Sequence, residues 1–326
     1  MQTRPSRPRF IGAPIATALL LSGLLGMAGA ASAKDAEPAA KPQPPRSAAE
    51  ILAQSPASDW QALDPENTLQ MDLPQGPVVI ALAARFAPRH AANIRALVRG
   101  GYFDGLAVLR VQDGFVTQWG DPNAGAPERA RALPAAASAK LPAEFSAALA
   151  GLPFTALKET DGWAPVNGYV DAFPVGADPK TGRAWLAHCY GMVGAGRGNE
   201  ADSSNGSSLY AVIGHAPRAL DLNITTVGRV LKGIENLSSL PRGGANMGFY
   251  DKPDQGLGIQ RVRMLAEMPE AERPALELLR PDSTTFAALQ DARRNRTGWS
   301  VYNPGRIELC TGLPPTRAAG STRRSP

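Results

Sequence analysis

Val108–Pro122 reads VLRVQDGFVTQWGDP. Two apolar runs, Val108–Val111 and Phe115–Trp119, flank an Asp-Gly pair at 113–114. Short alternating runs about such a pair mark two antiparallel strands. Yet Arg110 stands in the first run and Gln118 in the second. Charged side chains are rarely buried without a partner or a task. An always-charged guanidinium with fixed donors, an aromatic ring and an amide on neighbouring strands are the parts of a binding site. The structural alternatives are an ion pair of Arg110 with Asp121, Phe115 as plain core, and Gln118 as a partner for backbone.

The surrounding chain carries the same β pattern. TLQMDL (68–73) alternates, PQGP (74–77) turns and VVIAL (78–82) returns, which predicts a hairpin. Pro88 then opens PRHAANIRALVRGG, where Ala91, Ile94, Leu97 and Val98 fall at helical spacing before Gly100–Gly101. His90 is expected on the solvated side of that helix. Residues 122–183 read as a long irregular insertion, with at most a helical turn in 141–154. AWLAHCYGMVG (184–194), LYAVIG (209–214), IQRVRML (259–265) and RIELC (306–310) read as strands. Residues 224–240 read as a strand and a short helix, and 270–296 as helical. The prediction is a mainly β chain, a closed antiparallel barrel with two or more helices and a C-terminal helical extension. Regular β–α alternation is absent, which argues against a parallel sheet.

The N-terminus has a different character. Residues 1–33 carry Arg4, Arg7 and Arg9, an apolar run Ile15–Leu25 and an A-S-A site ending at Ala33, the pattern of a signal peptide. The alternative is a membrane anchor, for which the run is short. A periplasmic protein with no membrane span after signal removal is therefore expected. Residues 34–66 read as a Pro-rich linker and a short helix in SAAEILAQ (47–54), 67–268 as the main domain, 269–313 as the extension and 314–326 as a disordered basic tail. Of the net charge of +5, three charges belong to Arg4, Arg7 and Arg9 and three to Arg317, Arg323 and Arg324, so residues 34–315 sum to −1. That balance offers nucleic acid no basic face. The two cysteines, Cys189 and Cys310, are expected to form a disulfide in an oxidising compartment, with two free thiols as the alternative. The bridge is expected to pin the extension, which should loosen first under reduction.

Several chemistries lack their residues. GAGRGN (194–199) mimics a dinucleotide loop, but EADSSNGSS follows where a helix is required. No G-x-S-x-G elbow occurs, and His90, His188 and His215 show no metal-ligand spacing. No cofactor and no metal are expected. A mild reaction remains: rotation about an X–Pro bond, opposed by a barrier of about 18–20 kcal/mol that comes from amide resonance. It needs an apolar seat for the proline ring and a donor to the prolyl nitrogen.

GYFDGLAVLRVQDGFVTQWGDP (101–122) resembles the cyclophilin signature R-x-x-x-x-F-x-x-Q-x-G-D, met here by Arg110, Phe115, Gln118, Gly120 and Asp121. The likeness extends through TLQMDL, VVIAL and APRHAANIRALV, through NGSSLYAVIG, and through RALDLNITTVGRVLKGIENL, covering about residues 67–266. It implies a closed eight-stranded antiparallel cyclophilin-like barrel and a peptidyl-prolyl cis-trans isomerase with Arg110 as the catalytic donor. It implies substrate contacts from Phe115, Val116, Gln118, Gly194, Tyr210 and Leu220, and proline-containing unfolded or exported polypeptides as partners of a monomer. The chain departs from the family pattern at Ser208, Tyr210, Ala219, Ile224 and Met192–Gly194. Those departures leave a second reading open: a binding or chaperone module with weak turnover or none.

Overall fold

The computed structural model describes residues 46–244, 247–252 and 257–320. The expected signal peptide, most of the linker and residues 321–326 of the basic tail lie outside them. In chain order the elements are α1 (Ala48–Ala53), β1 (Trp60–Ala62), β2 (Thr68–Leu73), β3 (Gly76–Leu82), α2 (Pro88–Arg99), β4 (Ala107–Val111) and β5 (Val116–Gly120). Then come β6 (Ala147–Ala148), β7 (Thr155–Ala156), β8 (Val166–Val170), β9 (Phe173–Asp178), β10 (Arg183–Leu186), β11 (Met192–Ala195) and β12 (Leu209–Val212). The last are β13 (Thr226–Lys232), α3 (Glu235–Ser238), β14 (Arg261–Met264), β15 (Leu276–Leu279), α4 (Thr284–Arg294) and β16 (Thr316–Ala318).

Eight strands form one curled antiparallel sheet in the order β14-β2-β3-β13-β11-β12-β5-β4. Alternation drives its first hairpin: Leu69, Met71 and Leu73 of β2 and Val78, Ile80 and Leu82 of β3 point into the core. Ala91, Ile94, Leu97 and Val98 of α2 cover them, and Pro88 sits at the start of α2, where its missing N–H leaves no helical bond unmade. The sheet is open, not the closed barrel expected. Its edge strands β14 and β4 share no ladder. One bridge, Ala107–Gly258, and single bonds such as Ile259 N–H to Leu106 C=O (2.7 Å) tie the edges instead. The segment before β14 carries Gly258, which has no side chain to pack and weakens strand pairing.

The insertion is not irregular. It supplies β6 to β9, which with β10 build a second sheet ordered β6-β10-β9-β8-β7. β8 and β9 are buried along nearly their whole length, so they show no period of two in sequence. Gly168 of β8 is required by close approach, since a Cβ there would lie 2.2 Å from the Thr155 carbonyl oxygen. The expected strand 184–194 is in fact two. β10 ends the second sheet, the chain turns at 187–191, and β11 enters the first.

A third sheet, β1-β15-β16, joins both ends of the described chain. This corrects two expectations. Leu276–Leu279 is strand rather than helix, because the segment lies between β1 and β16, with Glu277 and Leu278 paired on both sides. Residues 316–318 are ordered because Arg317 lies 4.1 Å over the Trp60 ring and bonds Glu277 at 2.8 Å. RIELC is not a strand either. Leu309–Thr311 is a 3-10 turn that drops Leu309 into the core. His90 is fully buried, not solvated: its ring nitrogens meet Glu144 (2.7 Å) and Ser204 (2.8 Å).

Insertion, N-terminal segment and extension share a second core that includes Trp60, Tyr169, Val175, Leu279, Phe286 and Leu309. The Cys189–Cys310 disulfide crosses it, with Cα atoms 5.0 Å apart. Among the described residues no helix is long and apolar enough to cross a membrane.

Candidate active site

The backbone explains how Arg110 leaves the core. The β4–β5 register shifts between Val108 and Arg110, so Val108 faces Trp119 and Arg110 faces Gln118. Leu109 is the extra residue of a β-bulge. In a regular ladder Arg110 would share the inward side of Val108. The bulge turns it to the outer face, while Val108, Val111 and Trp119 stay in the core.

The register then aligns four of the expected residues. Arg110 pairs with Gln118, Gln118 with Tyr210, and Tyr210 with Gly194. They make one row across β4, β5, β12 and β11. Val116 and Val212 are paired beside that row, two residues from Gln118 and Tyr210 and so on the same face. Val116, Tyr210 and Val212 form a small buried apolar cluster, with Phe115 and Ile224 half-buried against it. Leu220 is not in it. It belongs to the turn Arg218–Leu220, and the chain returns through an Ile224 N–H to Leu220 C=O bond of 3.2 Å.

Arg110 is 8% exposed. Its Nε donates to the Met247 carbonyl at 2.6 Å, Nη1 donates to Gln118 Oε1 at 3.3 Å, and Nη2 donates to Gln112 Oε1. The guanidinium carbon lies 5.5 Å from the centre of the Phe115 ring and 5.2 Å from that of Phe249. Burial pulls its pKa below the ordinary arginine value, yet a guanidinium stays charged. Asp121 is not its partner: Oδ1 and Oδ2 accept the backbone N–H groups of Asn123 (2.9 Å) and Arg131 (2.7 Å). Gln118 Nε2 donates to Ser208 Oγ at 3.1 Å. A cleft of about 390 Å³ opens beside Gln118, between Leu109, Ser208, Phe249 and Lys252.

Tyr210 needs Gly194. A Cβ on Gly194 would come within 2.3 Å of the Tyr210 Cζ and hydroxyl oxygen. Gly194→Ala therefore displaces the ring, and overpacking of this kind costs about 1–3 kcal/mol. The expected result is a Gly194→Ala protein that melts at lower temperature and binds an Ala–Pro peptide more weakly, read by calorimetry.

Phe249 and the Met247 carbonyl escaped sequence reading, because the loop that brings them has no periodicity, and Gln112, directly after β4, was not singled out. Val212 was legible in principle, standing two residues from Tyr210 on one strand.

The family model described as "Cyclophilin type peptidyl-prolyl cis-trans isomerase/CLD" matches residues 68–264. A Brucella suis protein named "Probable peptidyl-prolyl cis-trans isomerase" is 29% identical over 200 residues, 60% of this chain and 82% of that one. A 55-residue stretch is 42% identical to a Synechocystis protein whose name places a peptidyl-prolyl cis-trans isomerase in the thylakoid lumen, over 17% of this chain and 14% of that one. The crystal structure of cyclophilin AquaCyp293 from Hirschia baltica shares the fold, with a TM-score of 0.65 at 24% identity over 83% of this chain and 97% of that chain. The family match spans more than half of the chain and contains the whole row from Arg110 to Gly194: the protein belongs to the cyclophilin-type peptidyl-prolyl cis-trans isomerases.

Proposed function

We propose that Arg110 is the catalytic donor to the prolyl nitrogen of an X–Pro bond seated on Phe115, Val116, Tyr210, Val212 and Ile224. Twisting the peptide bond localises the lone pair on nitrogen, and a hydrogen bond to that lone pair lowers the barrier set by resonance. Arg110 suits the task because it is charged, held by acceptors from Gln112, Gln118 and Met247, and largely out of water, where a preorganised donor acts most strongly. A guanidinium has five N–H donors, and those beyond the three described bonds are assigned to the substrate. Gln118, fixed between Arg110 and Ser208, holds a substrate carbonyl. The single observation that carries this reading is the row Arg110–Gln118–Tyr210–Gly194 beside the apolar cluster.

The substrates are proline-containing unfolded chains of an exporting compartment. The disulfide and the signal pattern of residues 1–33 support periplasmic folding assistance. Action as a monomer is part of this proposal.

The test is the cis-to-trans rate of an Ala–Pro peptide. Acceleration is expected. A folded protein that binds the peptide and leaves its rate unchanged would instead be a binding module. Phe115→Ala should weaken peptide binding about tenfold, ~1.4 kcal/mol, by NMR titration. Its stability should fall by less, since Phe115 is half-buried at a turn. An unchanged affinity would place the proline elsewhere.

A further inference from the structure

The apolar wall of the pocket has a polar back. The Tyr210 hydroxyl is 2.9 Å from His188 Nε2. His188 Nδ1 is 3.0 Å from Asp221 Oδ1, which also accepts the His188 backbone N–H at 2.9 Å. Asp221 Oδ2 accepts from Arg218 Nε at 2.6 Å, and Arg218 Nη2 lies 2.7 Å from Asp161 Oδ2. The side chains of Asp161, Arg218, Asp221 and His188 are 10, 6, 6 and 1% exposed. They form a buried file from the insertion to the pocket wall. Its outer end, Asp161 and Arg218, lines a cleft of about 450 Å³ shared with Trp163 and His215.

The chemistry sets a direction along the file. The Asp221 carboxylate only accepts, so His188 Nδ1 donates to it. In the neutral imidazole Nε2 is then the acceptor, and the Tyr210 hydroxyl donates to it. Thr226 Oγ1 stands 3.3 Å from the same nitrogen. The His188 and Tyr210 rings lie nearly parallel, 14° apart. Burial and the nearby Asp221 charge push the Tyr210 phenol pKa up, so the hydroxyl keeps its proton. One end of the ring is thus tied to His188 while its face rests on Gly194. A phenylalanine at this position would lack the tether.

We infer that His188 is a positioning residue: through the file Asp161–Arg218–Asp221–His188 it fixes the Tyr210 ring and so sets which imino-acid ring the pocket accepts. This rests on the reading of Tyr210 as a pocket wall. The position of His188 follows from the fold. It sits at the crossing from β10 to β11, next to Cys189 and its bridge to Cys310.

The experiment compares kcat and KM for an Ala–Pro peptide and for the same peptide with six-membered pipecolic acid in place of proline. His188→Leu, Tyr210→Phe, their double variant and His188→Gln are assayed, each checked for folding by circular dichroism. His188→Leu is expected to raise KM for the prolyl peptide about tenfold, ~1.4 kcal/mol, with kcat little changed. It should also narrow the preference for proline over pipecolic acid. Tyr210→Phe should narrow it likewise. The double variant should be no worse than either single one, since both break one interaction. His188→Gln, which keeps a donor and an acceptor, should recover part of the loss. Wild-type KM and ring preference in folded His188→Leu would overturn the inference, as would additive effects in the double variant. If His188→Leu does not fold, an unchanged ring preference in both Tyr210→Phe and His188→Gln overturns it. Arg110→Ala separates the two levels. Full kcat in that variant removes the reading of the site itself, whatever His188 does.

Discussion

Arg110→Ala is expected to lower kcat/KM for an Ala–Pro peptide on the order of a hundredfold, the effect of deleting one preorganised donor worth about 2.7–4 kcal/mol. The fold should survive, because the bulge at Leu109 puts Arg110 on the outer face, away from the packed Val108, Val111 and Trp119. Its three described bonds go to a loop carbonyl and two side-chain amides, all of which water can reach once the guanidinium is gone. Arg110→Lys separates charge from geometry. Lysine keeps the charge but loses the planar fork that bonds Met247, Gln112 and Gln118 together. It should stay closer to the alanine variant than to the wild type. A folded Arg110→Ala protein with an unaltered isomerisation rate would refute the assignment. A fall in rate matched by an equal fall in melting temperature would count against it too.

The second large effect concerns stability. The Cys189–Cys310 bridge closes a loop of 121 residues, and a loop of that length removes unfolded-chain entropy worth about 4–5 kcal/mol. Replacing both cysteines with serine should lower the denaturant midpoint accordingly. The structure changes what unfolds. The sequence suggests an extension hung on the disulfide and the first part to loosen. In the structure Leu278, Leu279, Phe286, Leu289 and Ile307 pack in the same core as Tyr169 and Val175 of the insertion. Limited proteolysis of the reduced protein should therefore release no extension fragment before the insertion also opens. An early cut in residues 295–306, with the rest of the second core still protected, would show that the bridge and not the packing holds the extension.

The sequence disclosed one half of the molecule far better than the other, for physical reasons. Leu69, Met71 and Leu73 alternate because one face of their strand meets the core and the other meets solvent. The α2 stripe was readable for the same reason. Val166–Val170 and Phe173–Asp178 are packed on both faces, so alternation vanished and two real strands read as loop. Arg317 looked like part of a charged tail. Its use, stacking on Trp60, depends on a partner more than 250 positions away. At the site, Arg110, Phe115, Gln118 and Tyr210 were named through the resemblance to the cyclophilin pattern, and the strand register sets Arg110, Gln118 and Tyr210 in one row. The β-bulge that aims Arg110 outward was not legible, since it adds one ordinary leucine. Leu220 lies on the turn Arg218–Leu220, beside a cluster against which Ile224 packs.

The small sheet β1-β15-β16 has a consequence for the order of assembly. Its members stand at 60–62, 276–279 and 316–318, so its hydrogen bonds enclose the entire family-matched region like an outer pair of brackets. The inner sheet needs only residues 68–264 and can pair before the last strand is available. Both sheets join distant segments, Leu69 with Met264 in the inner one and Trp60 with Leu279 in the outer one, but only the outer one needs residues beyond 264. In chain order the strands that hold the row Arg110–Gln118–Tyr210–Gly194 are complete before β15 and β16 exist, so the enclosing sheet is the last that can pair.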